Sequence, residues 1–369
     1  MAHSAETPLV GQNAQPKAWS PLWLKLLKNT KFRNWSARLP IIRRLVRRDQ
    51  QKVFDLMAGF AYSQVLSAAV EVDLFAQLIS GPKAPQVIVG LPRDAAELLC
   101  RAAAGLDLLR ELPDGRFALT RHGAIIEEIA GLKTMIAHHA VLYRDLSDPL
   151  SVLKGTAQTE MASFWPYVFG ATDRPVSKRE ATLYSQVMTD TQSLVAQEVL
   201  TYISFSNVNA LLDIGGGTGA FLDAVHRAYP DLRLGLFDLP NVVPGHDHIT
   251  SHSGNFRKDR LPDGYNAISL IRVLFDHQDD TIKALLAKVH DALPLGGRLI
   301  VAEPMAGSNK AHAAGDAYYA IYTRAMGTGK TRKPSDIATL LEDAGFGSVR
   351  VHSDMAPTIA RVIDAKRVV

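Results

Sequence analysis

Cysteine is nearly missing from this chain of 369 residues, where Cys100 stands alone. A lone thiol excludes an internal disulfide and suits a reducing compartment. No secretory signal pattern is evident and no apolar run looks long enough to span a bilayer, so a cytoplasmic location is expected. Internal repeats and low-complexity tracts are also absent, which sets aside repeat architectures. The remainder, 47% hydrophobic and 21% charged, is the make-up of an ordinary globular protein long enough for two domains.

A strong net charge is lacking as well, at +4 overall, but the basic residues are unevenly spread. Eleven Lys and Arg fall between Lys17 and Lys52 against Asp49 alone, so that stretch carries +10 and the rest of the chain −6. The basicity is local, which points to one anionic partner surface. Trp19, Trp23 and Trp35 are interleaved with Lys25, Lys28, Lys31 and Arg33. Pro40 then opens a helix with Ile41, Ile42, Leu45 and Val46 on one face and Arg43, Arg44, Arg47 and Arg48 on the other. Such a segment suits an interfacial helix on an anionic membrane, an arm on a partner subunit, or a nucleic-acid contact.

Helical periodicity runs from Gln51 to Leu78 and from Asp94 to Leu109, and Leu108 to Thr120 reads as a hairpin about Pro113-Asp114-Gly115. Helices followed by such a hairpin are winged-helix-like. The turn of the wing offers Arg116 as a base, and the helix before it carries Glu97 and Asp107, so nucleic acid is not the expected partner there. Further helical segments with Trp165, Tyr167 and Phe169 follow. His138 and His139 point to different faces of a helix, which makes them poor metal ligands, and no metal site is expected.

The chemistry gathers at Leu211-Leu212-Asp213-Ile214-Gly215-Gly216-Gly217-Thr218-Gly219, which leads into Ala220-Phe221-Leu222. A buried strand turning through glycines into a helix is a nucleotide-binding bend, where a ligand approaches backbone that no Cβ obstructs. The spacing of Gly215, Gly217 and Ala220 also satisfies the dinucleotide pattern. A pyrophosphate on a helix N-terminus wants no carboxylate beside it. Here Asp213 precedes the bend and Asp238 ends the next apolar run, where a carboxylate can accept two ribose hydroxyls. Both acids favour a ligand with sulfonium and ammonium groups, S-adenosylmethionine, over NAD.

After the bend the α/β rhythm is regular. Asp238 and Gly254 mark strand ends, and Asn266–Val273 and Leu299–Glu303 read as strands. Thr281–Leu293, residues around Ala313–Met326 and a segment opened by Pro334 read as helices, with strand candidates at Val349–Val351 and Ile359–Ile363.

Six landmarks in order now carry a resemblance: the glycine bend, Phe237-Asp238-Leu239-Pro240, Gly254-Asn255-Phe256, Arg272-Val273-Leu274, Asp279-Asp280 and the Leu293-to-Arg298 turn. Together they resemble the S-adenosylmethionine-dependent small-molecule O-methyltransferases of the caffeate and acetylserotonin type, over roughly residues 50–369. Within that family the chain is most similar to the hydroxyneurosporene (demethylspheroidene-type) carotenoid O-methyltransferases of anoxygenic phototrophic bacteria. The resemblance implies an α/β fold: a class I methyltransferase Rossmann-like sheet with an N-terminal helical, winged-helix-like dimerisation domain. The expected division is a basic amphipathic arm at 1–50, the dimerisation domain at 51–190 and the cofactor-binding domain at 191–369.

The resemblance also implies site residues. Gly215, Gly217 and Gly219 shape the cofactor loop, Asp238 holds the ribose, Asn255 and Phe256 the adenine, and Asp213 or Arg272 the methionine end. One departure matters most. Where the family has a His-Asp-Trp stretch whose histidine accepts the proton, this chain has Phe275-Asp276-His277. Glu303 sits where an acid flanks that histidine, and Thr331 replaces the second flanking acid. His277 and Glu303 are therefore the catalytic candidates, unless His277 is a surface or capping histidine.

A phenol benefits from a base because its proton is removable near neutral pH, whereas a saturated alcohol gains little from a single imidazole. The missing histidine fits a homodimeric enzyme methylating a lipophilic alcohol, a 1-hydroxycarotenoid, with residues 17–52 meeting the photosynthetic inner membrane. The alternatives are a methyltransferase for a phenolic or polyketide product, and an inactive methyltransferase fold that binds DNA as a regulator.

Overall fold

A computed structural model describes residues 40–129, 131–164, 194–240, 245–308, 311–352 and 360–368, with isolated positions between them. The tryptophans of the arm and the Trp165, Tyr167 and Phe169 segment lie outside the described residues. Contacts divide the chain into two compact units, Met1–Val65 and Leu66–Val369. The boundaries at 50/51 and 190/191 mark changes of sequence pattern and remain a reading of the sequence.

Helix α1, Pro40–Glu71, begins at the expected proline, whose fixed φ suits a first turn. Its stretch Val46–Glu71 is long and apolar enough to cross a membrane, by length and composition alone. That corrects the expectation that no such run exists. The charges crowd the N-terminal end, from Arg47 to Asp55, and leave 56–70 uncharged. Leu56, Met57 and Phe60 are 84%, 64% and 76% exposed, an apolar face that burial within the chain does not account for.

The periodicity up to Leu78 is not one helix. Asp73 adopts a left-handed φ of 51° and separates α1 from α2, Leu74–Leu78. Next come α3 (Arg93–Gly105), β1 (Leu109–Glu111) and β2 (Phe117–Leu119), then α4 (Arg121–Glu128), α5 (Leu132–Asp145), α6 (Pro149–Lys154) and α7 (Glu160–Phe164). The expected hairpin is present, with Leu109 opposite Leu119 and Glu111 opposite Phe117. Gly115 turns it at φ 79°. At Gly123 a Cβ would meet the Leu108 carbonyl, so α4 packs against the hairpin only because that position has no side chain.

The large sheet is built from β3 (Ala210–Ile214), β4 (Arg233–Asp238), β5 (Ile249–Ser253), β6 (Ala267–Ile271), β7 (Arg298–Glu303), β8 (Phe346–His352) and β9 (Arg361–Arg367). Its order is β5-β4-β3-β6-β7-β9-β8. The first five strands in that order pair in parallel, and β9 runs antiparallel between β7 and β8. The last strand starts and ends later than the pattern at Ile359–Ile363 suggests, because its pairing continues to Lys366 opposite Arg298.

Side-chain alternation sorts the core into two layers. Leu212, Ile214, Ile268, Leu270, Leu299 and Val301 face one layer with Leu285 and Val289 of α9 (Asp279–Ala292) and Leu341 of a later helix. Leu211, Ala267, Ile271, Ile300 and Ala302 face the other, with Phe221, Leu222 and Val225 of α8 (Ala220–Ala228). Helices on both faces explain why β3 and β6 are buried along their whole length. The chain continues through α10 (Ala320–Met326), preceded by a π-helical turn at Ala313–Tyr319, and α11 (Pro334–Asp343).

On β4, Gly235 lies against the ring of the buried Tyr265, and a Cβ there would strike its hydroxyl and Cζ. Gly235→Ala is expected to lower stability by about 1–3 kcal/mol through overpacking, read as the shift in a urea unfolding midpoint.

Candidate active site

In an open α/β sheet, ligands bind beyond the carboxyl ends of the strands where the strand order reverses, here between β3 and β6. A cavity opens at that point. Its wall comes from the loops that follow β3, β4, β5 and β6: Gly215–Thr218, Asp238, Asn255, Phe256, Arg257, Arg272, Val273, Asp276 and His277, with Thr189 and Gln192.

The glycine loop owes its path to positive φ at Gly215 (70°) and Gly217 (61°). A Cβ on Gly215 would press on Val273 at 3.0 Å, whereas Gly217 faces open space. Asp238 is tied to this loop. Its Oδ2 accepts the Gly217 N–H at 2.7 Å and its Oδ1 the Leu239 N–H at 2.7 Å. Burial raises the Asp238 pKa, and those two N–H groups oppose the rise. Thr218 meets the Thr189 hydroxyl at 2.8 Å.

On the opposite wall, Arg272 follows β6 with a left-handed φ of 59°, uncommon for any residue other than glycine. Its N–H donates to the Ala302 carbonyl at 2.7 Å and its guanidinium to Thr191 Oγ1 at 2.7 Å. A 3₁₀ turn, Leu274–Asp276, comes next and is held from several sides. The Phe275 N–H donates to Glu303 Oε2 at 3.0 Å, and Phe275 O accepts the Lys330 N–H at 2.8 Å. The buried Arg332 guanidinium donates to Leu274 O at 3.0 Å and His277 O at 2.8 Å, and pairs with Asp279.

A family model described as an O-methyltransferase domain matches residues 143–347. The chain is 44% identical to the demethylspheroidene O-methyltransferase of Cereibacter sphaeroides over 364 residues, covering 94% of this chain and 95% of that protein. The enzyme of the same name from Rhodobacter capsulatus is also 44% identical, over 89% of this chain and 85% of its own length. The chain belongs to the O-methyltransferase family. Among solved structures it is similar to human N-acetylserotonin methyltransferase in complex with SAM, at a TM-score of 0.75 and 24% identity, covering 87% of this chain and 98% of that one. The class I methyltransferase fold expected from the sequence is thus present.

Within this O-methyltransferase, Gly215, Gly217, Asp238, Asn255, Phe256, Arg272 and His277 share the cavity wall. Asn255 Oδ1 accepts the Arg257 N–H at 2.9 Å, and the Phe256 ring meets His277 edge-on at 5.4 Å between centroids. Asp213, Gly219 and Glu303 stand behind that wall. Asp213 is fully buried on β3, facing the same layer as Ser269 directly across on β6, whose hydroxyl donates to Oδ1 at 2.6 Å. The carboxyl lies beneath Gly216, where any Cβ would overlap it. Gly219 caps α8 at φ 83°, and a Cβ there would meet His246 Nε2 at 2.8 Å.

Glu303 is fully buried and turned to the backbone of the 3₁₀ turn, so the structure gives it a shaping place rather than a wall position. Burial pushes its pKa up to about 8 against the pull of Arg332. His277 is not a surface residue but does cap the 3₁₀ turn: it is 2% exposed, its N–H donates to Leu274 O at 3.2 Å, and its Nδ1 accepts from Arg257 at 3.1 Å. Burial, then the Arg257 and Arg332 cations, push its pKa down to about 3, which makes it a weak proton acceptor.

Asp276 and Arg257 also line the cavity, and Arg332 holds the carbonyls of the turn; no local sequence pattern marks any of the three. Phe275 itself is buried and takes no part in this wall. The histidine pair makes contacts with two tyrosines. His138 Nε2 lies 3.0 Å from the Tyr322 hydroxyl and His139 Nε2 2.6 Å from that of Tyr318.

Burial pushes the Asp213 pKa up to about 8, far above an unfolded carboxyl. The folded chain therefore binds a proton there that the unfolded chain releases. The associated stability is complete below the unfolded value of 3.8 and is lost as pH rises toward about 8. Asp213→Asn, which has no such proton to lose, is expected to gain on the wild type in urea unfolding between those limits. A stability difference that stays constant with pH would contradict this.

Proposed function

We propose that this O-methyltransferase moves the methyl group of S-adenosylmethionine to the hydroxyl of a carotenoid of the demethylspheroidene type. The observation that carries the reading is 44% identity, across nearly the whole chain, to two enzymes of that name. The residues present suit the co-substrate. Gly217 leaves open space at the loop, Asp238 keeps lone pairs for hydroxyls beyond its two backbone partners, and Asp276 adds a second carboxyl near a cation's seat. When bound, S-adenosylmethionine supplies an electrophilic methyl on a positively charged sulfur.

The chain's own residues divide the rest of the work. Gly215, Gly217 and Gly219 shape the loop, Asp238 takes the ribose, and Asn255 and Phe256 take the adenine. Arg272, on the wall, faces the methionine end, and Asp213 backs the loop from below. Glu303 and His277 hold the 3₁₀ turn beside the acceptor. A saturated alcohol does not release its proton to a neutral imidazole ahead of methyl transfer, so rate comes chiefly from alignment in a dry pocket. An aromatic at 275, in place of the family's histidine, is consistent with such an acceptor.

A homodimer fits the family and gives the exposed apolar residues of α1 a covered position. Residues 17–52, with their basic excess and tryptophans, suit an anionic membrane such as the photosynthetic inner membrane, where a carotenoid dissolves. Liposome flotation of the full chain and of a variant lacking 1–50 is expected to separate the two, and equal flotation would end the membrane reading. Incubation with labelled S-adenosylmethionine is expected to label a long polyene alcohol and leave simple phenols unlabelled. Labelling of phenols alone would replace the carotenoid reading with a phenolic one.

A further inference from the structure

On the cavity wall, Asp276 combines three properties that no other described side chain there shares. It is acidic and 7% exposed, and its Oδ1 has no hydrogen-bond partner among the described residues. A buried carboxylate oxygen without a partner is costly, and in a cavity it marks a place where a ligand's donor belongs. The Asp238 carboxylate, also on this wall, already accepts one backbone N–H at each oxygen.

The turn that carries Asp276 is anchored on either side of it. Glu303 holds the Phe275 N–H, and Arg332 holds the carbonyls of Leu274 and His277. Those contacts fix the backbone of the turn, and Asp276 is among the residues that line the cavity. Glu303 and Arg332 are therefore positioning residues for the turn. His277, with two cations disfavouring its charged form, is poorly suited to take a proton.

From this geometry we infer that Asp276 is the group that accepts the proton of the acceptor hydroxyl during methyl transfer, standing in for the absent histidine. The inference rests on the reading of this cavity as the methyl-transfer site. In the step, the hydroxyl oxygen forms a bond to the methyl carbon, and the carbon–sulfur bond breaks with its electron pair staying on sulfur. The hydroxyl proton passes to the Asp276 carboxylate and then to water.

Charge explains the timing. The groups facing Asp276 are Arg272 on the end of β6, Glu303 on β7 and Tyr322 on α10, with His277 next in the chain. Burial raises the carboxyl's proton affinity well above the usual carboxylate range, Arg272 opposes this, and Glu303 adds to it. A cationic methyl donor in the cavity favours the ionised form. Loss of that positive charge on transfer raises the proton affinity of Asp276 just as the hydroxyl must lose its proton.

The test uses the full chain and two readouts. Calorimetry in buffers of different ionisation enthalpy counts protons released on binding. Wild type is expected to release up to about one more proton per site with S-adenosylmethionine than with its uncharged demethylated product, and Asp276→Asn is expected to abolish the difference. Single-turnover methyl transfer, on whichever hydroxyl the wild type methylates, is expected to slow by about 100-fold or more in Asp276→Asn, with binding of the methyl donor weakened far less.

An equal proton count for the two ligands in wild type would overturn the proposal whether or not the variant folds. So would single-turnover rates in Asp276→Asn within a few-fold of wild type. A wild type that methylates phenols instead of polyene alcohols would sink the carotenoid reading and leave this test intact.

Discussion

Desolvation of carboxyl groups at the carboxyl ends of neighbouring parallel strands is the constraint on which the site depends. Asp213, Asp276 and Glu303 are all taken out of water, and burial drives the proton affinity of each upward. A buried acid is tolerated where it is hydrogen-bonded, neutralised or offered a cation. Asp213 has the Ser269 hydroxyl and Glu303 has a backbone N–H and the field of Arg332. Each of the three keeps one buried oxygen without a partner among the described residues, and Asp276 is the one of them that lines the cavity. The arrangement makes electrostatic sense when a positive ligand occupies the space between.

The fold enforces that arrangement through register. Asp213 and Ser269 sit opposite each other on β3 and β6, so the same pairing that aligns the sheet delivers the hydroxyl to the acid. Arg272, the residue directly after the last paired position of β6, takes a left-handed φ and turns the chain into the 3₁₀ segment. Arg332, from the loop before α11, then ties that segment's carbonyls to Asp279 at the start of α9. A single buried guanidinium thus connects this turn to the helical layer behind it.

Much of this was legible in the sequence because it depends on local chemistry. Glycines with an acid before them, Asp238 at a strand end and Pro40 at a helix start are short-range signals, and the residues stand where those signals place them. Long-range placement was less legible. Asp213 and Glu303 read as ligand-facing because they flank motifs, yet alternation along fully buried strands turns them under the wall. Asp276 was overlooked because its role depends on a turn held by Glu303 and Arg332, residues far away in the chain. The apolar run of α1 was missed because charges at one end of a helical pattern mask an uncharged stretch at the other.

The central claim is that the cavity beyond β3 and β4 seats a positively charged methyl donor. Titration calorimetry of wild type and Asp238→Ala with S-adenosylmethionine and with NADH tests it most directly. The account predicts one S-adenosylmethionine bound per chain, at least about tenfold weaker in the variant, or some 1.4 kcal/mol, and no NADH binding. Tight NADH binding with no heat from S-adenosylmethionine, or equal affinity in the two proteins, would contradict it.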